Sequence, residues 1–416
     1  MTPPADPGRA APIIAWLLEA GGSDATDMAI VDELARRLVD AGVPVSRVWL
    51  ASEVLDPTID ARALRWLPRE GATRLQVRRA ESAVNRRDIA ESPFRHMLDR
   101  GETEFRARLE PPAPESAFPA LRTFRAEGAT DYLALAAPMA ARARFSDVGT
   151  IVVSVTTDRP GGFGDSDLAL LRAVWPAVAL VSQMRGVVGT ARTLLDTYLG
   201  ADAARRVRAG NVERGRAEPI RAVVWFSDLV DYTRLADSMA HDATLALLND
   251  YAGIVVDAID AAGGDVLKFI GDGVLAIFRD ADPAVACRRA LAAWRACEAG
   301  IAALNVRRAA DGAATTRLHL ALHEGELIYG NFGGARRLDF TVLGAAVNEA
   351  GRMGALSRTL DQDVVLSDAF VAASGSPAAF VSLGRYALRG VGRPQELHTL
   401  DPTAAAPAPS AAAAAP

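Results

Sequence analysis

Lysine is almost missing from this 416-residue chain: Lys268 is the single example, and the other 45 of its 46 basic residues are Arg. That scarcity excludes the phosphate-binding loop GxxxxGK[ST], whose Lys must follow Gly, because Lys268 follows Leu267. The motifs GxGxxG and GxSxG are missing too. Cysteine is scarce, with only Cys287 and Cys297 present. On one helix those two would stand about 15 Å apart along the axis, beyond disulfide reach. The chain therefore reads as reduced and cytoplasmic. No run of about 18 uncharged apolar residues occurs. The best stretch, Leu168 to Val188, is interrupted by Arg172, Pro176 and Arg185, so no membrane span is expected. The start, MTPPADPGRAAP, lacks the apolar segment of a secretory signal. Positive charge is not in excess either: 46 basic against 51 acidic residues gives a net charge of −5. That balance excludes a nucleic-acid partner bound through a broad basic surface.

What remains is ordinary globular material, 50% hydrophobic and 23% charged. The length suggests two or three domains of roughly 100–200 residues each. Residues 1–12 are rich in Pro and Ala, and residues 402–416 (PTAAAPAPSAAAAAP after Asp401) can bury nothing, so both ends are expected to be disordered. Residues 13–185 mix helix and strand. DATDMAIVDELARRLVDAG has Asp24 as a candidate cap, apolar residues at helical spacing and a Gly stop. SRVWLASEVL alternates as a strand does, with ARALRWLP as its partner. SPFRHMLDRGE and FPALRTFRAEGA read as short helices, and DYLALAAPM and GTIVVSVTTD as two more strands. The turn-rich DRPGGFGDSD then leads into a long helix from Ser166 into the 180s. Helices around an antiparallel sheet, with no acidic pair, Cys cluster or Gly-rich loop, suit a sensory α+β domain. This order resembles a GAF-type domain, which implies a small-molecule or protein regulator of unknown identity. Residues 186–219 read as a helical signalling linker, with Leu194, Leu195, Tyr198 and Leu199 at helical spacing.

Residues 220–401 carry the chemistry. RAVVWFSDLVDYT is a buried strand ending in Asp228, and a carboxylate there needs a cation. A helix over His241–Ala262 stops at Gly263-Gly264. DVLKFIGDGVLAIF then folds as a hairpin with Asp272 at its tip. A helix from Asp282 to about Leu304 precedes the strand RLHLALHEGELIYGNFG. DFTVLGAAVNEAGRM finally turns at Gly344 into a helix that puts Asn348 and Arg352, four apart, on one face. Two isolated carboxylates can hold two divalent ions against a triphosphate. An Arg on a helix can stabilise charge developing at phosphorus.

FSDLVDYT, KFIGDG, GNFG and TVLGAAVNEAGR, in this order over about 180 residues, resemble the class III nucleotidyl cyclase catalytic domain. The resemblance implies a ferredoxin-like βαββαβ domain, working as a head-to-tail homodimer with active sites at the shared interface. It implies that Asp228 and Asp272 bind two Mg²⁺ or Mn²⁺ ions per site, with the Leu229 backbone as a further ligand. Lys268 and Thr341 fall on the purine-selecting positions, Asn348 on the ribose-orienting one and Arg352 on the transition-state one. Arg389, in LRGV, falls where the family places a cation near the terminal phosphates. Thr341 stands where many members have Asp; Thr occurs there in a bacterial subset similar to bicarbonate-responsive adenylyl cyclases. Its hydroxyl can accept from the adenine amino group. The implied reaction is cyclisation of ATP to 3′,5′-cyclic AMP and pyrophosphate, in signal transduction.

Two other readings compete: a guanylate cyclase, and a non-catalytic module that dimerises or binds nucleotide without turnover. A diguanylate cyclase is disfavoured, because GGD at Gly263–Asp265 closes a helix instead of tipping a hairpin. His319 and His323 would lie about 13 Å apart in a strand and cannot share one ion.

Overall fold

The computed structural model describes residues 7–53, 56–57, 59–78, 91–111, 113, 115–138 and 150–403. The disorder expected of residues 1–6 and 404–416 lies outside these. The chain divides into two compact units, Met1–Leu194 and Leu195–Pro416.

In the first unit the elements are α1 (Pro7–Gly21), α2 (Asp27–Asp40), β1 (Arg47–Glu53), β2 (Ile59–Leu67), β3 (Gly71–Arg78), α3 (Pro93–Arg100), β4 (Glu104–Arg108), α4 (Pro119–Ala126), β5 (Asp131–Pro138), β6 (Thr150–Thr157) and α5 (Asp165–Leu199). The six strands form one antiparallel sheet in the order β3-β2-β1-β6-β5-β4. Side chains alternate across a strand, and here both faces are covered. On β5, Leu133 and Leu135 enter a core with α1, α2 and α5, while Tyr132, Ala134 and Ala136 enter another with α3 and α4. That double coverage is why DYLALAAP reads as an unbroken apolar run.

Several details depart from the sequence reading. Residues 7–12, expected to be disordered, begin α1. Ala10, Ile13 and Leu17 form a buried stripe at helical spacing, and this burial overrides the Pro-rich composition. Helix α2 is capped by Thr26, whose hydroxyl accepts from the Ala29 N–H, and not by Asp24. Helix α5 runs well past the 180s. It is long and apolar enough to cross a membrane on length and composition alone, though 56% of its most apolar window is buried. The segment expected as linker, residues 186–219, holds the end of α5, helix α6 (Ala201–Arg208) and the start of β7 (Ala217–Leu229).

Asp131, at the start of β5, has no exposed surface. Its carboxylate accepts from Arg106 at 2.7 Å and from the backbone N–H groups of Tyr132 and Phe163, each at 3.0 Å. The DRPGGFG turn thereby folds over the sheet end. A Cβ on Gly162 would lie 2.6 Å from Asp131 Oδ2, so only glycine fits there.

In the second unit, β7 is followed by α7 (Tyr232–Ser238), α8 (His241–Ala261), β8 (Asp265–Ile270), β9 (Gly273–Phe278), α9 (Pro283–Ala310), β10 (Leu318–Gly334), β11 (Arg337–Leu343), α10 (Ala345–Leu360), β12 (Val364–Ser367), α11 (Asp368–Ser374), β13 (Phe380–Tyr386) and β14 (Gln395–Leu400). The expected βαββαβ run is present in β7-α8-β8-β9-α9-β10, and its strands lie side by side as β10-β7-β9-β8. Strands β12, β14 and β13 extend the sheet beyond β10, and β11 forms a hairpin with it. Helices α8 and α9 cover one face through Leu247, Tyr251, Val255, Ala290 and Trp294. Helix α10 packs on the other face through Ala346, Ala350 and Met353. Cys287 and Cys297 are buried free thiols on α9.

Candidate active site

Strand β7 is apolar through Val223, Val224 and Trp225, which the two faces of the sheet absorb, and delivers Asp228 near its end. Hairpin β8–β9 pairs beside it and reverses at Gly271-Asp272. The turn brings the second carboxylate back to the first: Asp272 Oδ2 accepts from the Leu229 N–H at 3.0 Å. Gly273 lets the two strands close, since a Cβ there would meet the Ser227 carbonyl at 2.8 Å and lie 3.8 Å from Asp228 Cβ. Asp228, Leu229 and Asp272 thus share one locus. A cavity of about 190 Å³ adjoins it, lined by Leu229, Asn249, Phe269 and Asp272 among others.

One carboxylate oxygen here is unusual. Asp228 Oδ1 is buried and accepts no hydrogen bond, although 31% of the side chain is exposed. His319, from β10, places Nδ1 3.4 Å away. The exposed edge of the Asp228 carboxylate is left for a cation. No group of three or more His, Cys, Asp or Glu side chains converges on one point among the described residues. A pair of carboxylates with the Leu229 backbone beside them fits Mg²⁺ or Mn²⁺, which fill the rest of their shell with water and phosphate oxygens.

The other expected site residues fall into two further groups. Lys268 on β8 makes an ion pair with Asp339 on β11. Thr341, two residues on and therefore on the same strand face, is buried. Asn348 and Arg352 sit one turn apart on α10. The Arg352 guanidinium lies against the Leu388–Gly390 loop, where a Cβ on Gly390 would come within 3.4 Å of Nη2. That contact brings Arg352 to the exposed Arg389 segment. No hydrogen bond or ion pair among the described residues joins the carboxylate pair to Lys268, Asn348, Arg352 or Arg389.

Two neighbours of the expected site residues are not among those the sequence singles out. Asp339 lies two residues before Thr341 on one strand, and only the fold pairs it with Lys268. His319 was set aside as a histidine that cannot share an ion with His323; its significance comes from the β7–β10 register, which places it opposite Asp228. His323 is buried, and burial holds its imidazole below the usual value, against the pull of Glu349 and Glu324. The base of the hairpin is clamped to α6. Arg279 pairs with Asp265 and with the buried Asp202, each at 3.1 Å. Burial works against the charged form of Asp202. The Tyr329 hydroxyl, Arg279 and Arg206 outweigh it and hold the carboxyl below its usual range.

Residues 216–401 match the family described as the adenylate and guanylate cyclase catalytic domain. Among curated relatives, an adenylate cyclase of Anabaena cylindrica is 29% identical over 170 residues, covering 41% of this chain and 34% of that protein. Adenylate cyclase 1 of Rhizobium meliloti is 27% identical over 245 residues, 56% of this chain and 36% of that protein. The chain thus spans about a third of the length of the curated relatives it matches. Among solved structures, the adenylyl cyclase CyaB from P. aeruginosa is 23% identical, with 45% of this chain and 96% of that chain covered and a TM-score of 0.42. The second unit carries a class III adenylate/guanylate cyclase catalytic domain.

Proposed function

We propose that the chain is an adenylate cyclase that converts ATP to 3′,5′-cyclic AMP and pyrophosphate. The observation that carries this reading is the meeting of Asp228 and Asp272 through the Leu229 N–H, with the Asp228 side chain still partly exposed. Two Mg²⁺ or Mn²⁺ ions on these carboxylates would neutralise the triphosphate and lower the pKa of the ribose 3′-hydroxyl. In the reaction the 3′-oxygen bonds to the α-phosphorus, the bond from that phosphorus to the pyrophosphate oxygen breaks, and the hydroxyl proton passes to solvent. Asn348 holds the ribose, and Arg352, braced against the Gly390 loop, stabilises charge growing on the phosphoryl oxygens. Arg389 binds the terminal phosphates. Lys268 donates to the purine, and the Thr341 hydroxyl accepts from the adenine amino group.

These groups act across a homodimer, one protomer supplying Asp228 and Asp272 and its partner Lys268, Thr341, Asn348 and Arg352. Exposed apolar side chains on the strands bearing the purine residues, and on β10 beside β11, support that arrangement: Phe269 and Ile270 on β8, Phe332 on β10, Leu338 and Leu343 on β11. The first unit is read as a GAF-like sensory domain for a small-molecule or protein regulator, in a cytoplasmic protein. Its support is the order of helices and strands.

Asp339 favours a second reading. Its carboxylate beside Lys268 offers an acceptor that the N1–H and amino group of guanine could use, as a guanylate cyclase requires. The experiment is cyclic nucleotide formation by the purified full chain, with ATP and GTP in parallel and Mg²⁺ or Mn²⁺. Cyclic AMP in at least about tenfold excess over cyclic GMP is expected, a difference of about 1.4 kcal/mol in transition-state binding. Lys268→Glu should lower ATP use more than GTP use. Predominant cyclic GMP would establish the second reading, and silence with both would leave a non-catalytic module.

A further inference from the structure

Strand alternation sends Leu318 and Leu320 of β10 into the core under α8 and α9, and His319 to the opposite face. The β7–β10 register sets His319 directly across from Asp228, so the two side chains leave the sheet on the same side. His319 is only 5% exposed. Its Nδ1 faces Asp228 Oδ1 at 3.4 Å, slightly long for a hydrogen bond, and that oxygen is buried without another partner. The carboxylate therefore has one edge against an imidazole, while about a third of the side chain stays exposed at the strand end. A small rotation of the carboxylate would close the contact and aim the open oxygen outward.

We infer that His319 is a positioning residue for Asp228: Nδ1–H donates to Oδ1 and fixes the carboxylate so that Oδ2 faces the metal. The imidazole touches neither nucleotide nor cation. The inference rests on the cyclase reading, since it needs Asp228 to be a metal ligand. Groups that orient a ligand from behind commonly change metal affinity by about 10–100-fold when removed.

The test is Mn²⁺ binding to the full chain without nucleotide, followed by the spin-resonance signal of free Mn²⁺, alongside turnover against Mn²⁺ concentration. His319→Leu fills the space without a donor. His319→Asn keeps a donor near the place of Nδ1. The Leu variant should bind Mn²⁺ about tenfold more weakly and need correspondingly more Mn²⁺ for half-maximal turnover, with kcat at saturating Mn²⁺ within about twofold. The Asn variant should recover most of the affinity, and thermal melts identify any variant that fails to fold. Equal losses in both folded variants would make His319 a packing residue and overturn the inference; so would unchanged affinity in His319→Leu. Asp228→Asn separates the two readings. If it binds Mn²⁺ as the wild type does, the metal assignment of the cyclase reading fails, and the role of His319 fails with it.

Discussion

Asp131 and Asp228 are two carboxylates at strand ends, one in each unit, and they have been treated in opposite ways by the fold. Asp131 is sealed: a guanidinium and two backbone N–H groups converge on it, and no surface is left. Asp228 has a neighbour at 3.4 Å, an oxygen with no hydrogen bond, and an open side. A satisfied buried charge is a clamp, because its energy is already committed to local geometry. An unsatisfied one keeps its interaction energy for something that arrives later. The difference separates structure from chemistry more clearly than the count of acidic residues in either unit.

Removing the open carboxylates should act on chemistry alone. Asp272→Ala is expected to lower cyclic nucleotide formation about a thousandfold, near 4 kcal/mol, with the thermal unfolding midpoint nearly unchanged. A variant retaining wild-type turnover would remove Asp272 from the metal site. Removing the sealed carboxylate should act on stability alone. Asp131→Ala strands the partly buried Arg106 and should cost the first unit about 3–5 kcal/mol, read as an earlier urea transition. The Mn²⁺ requirement for turnover should stay where it was. The smallest effect concerns the thiols of α9, which are sealed without being charged. Burial pushes Cys287 and Cys297 up to about 12. Iodoacetamide at pH 8 should therefore modify neither in the native chain and both in urea, where thiols titrate near their usual value of about 8.5. The linkage has a sign. The folded chain keeps protons that the unfolded chain loses, so this contribution to stability is intact below about pH 8.5 and fades as pH climbs toward 12.

The same contrast explains what could be read in advance. Strands β1, β2, β5 and β6, interior to their sheet, announced themselves through alternation or unbroken apolar runs. Strands β3 and β4 did not, because they are the two edges. GATRLQVR and EFRAR carry the charges that keep an edge from pairing with other chains. In the second unit β14 and β13 were illegible for a related reason: they continue a sheet whose need for cover is set by distant residues. The carboxylates, Lys268 and the α10 pair were legible because chemistry fixes residue type and short-range spacing. Asp339 and His319 depend on which strands become neighbours. Their partners lie 71 and 91 positions away, and no local pattern encodes that.

Strand β8 lies at the rim of its sheet, held along one side by β9 and clamped at its base by Arg279. Its hairpin bears both Lys268 and Asp272, only four residues apart. On the proposed reading, recognition of the base and capture of the metal therefore depend on one and the same hairpin. A displacement of that rim cannot retune one without the other, so variants along β8 and β9 that alter purine preference should trace a single curve against metal affinity instead of scattering.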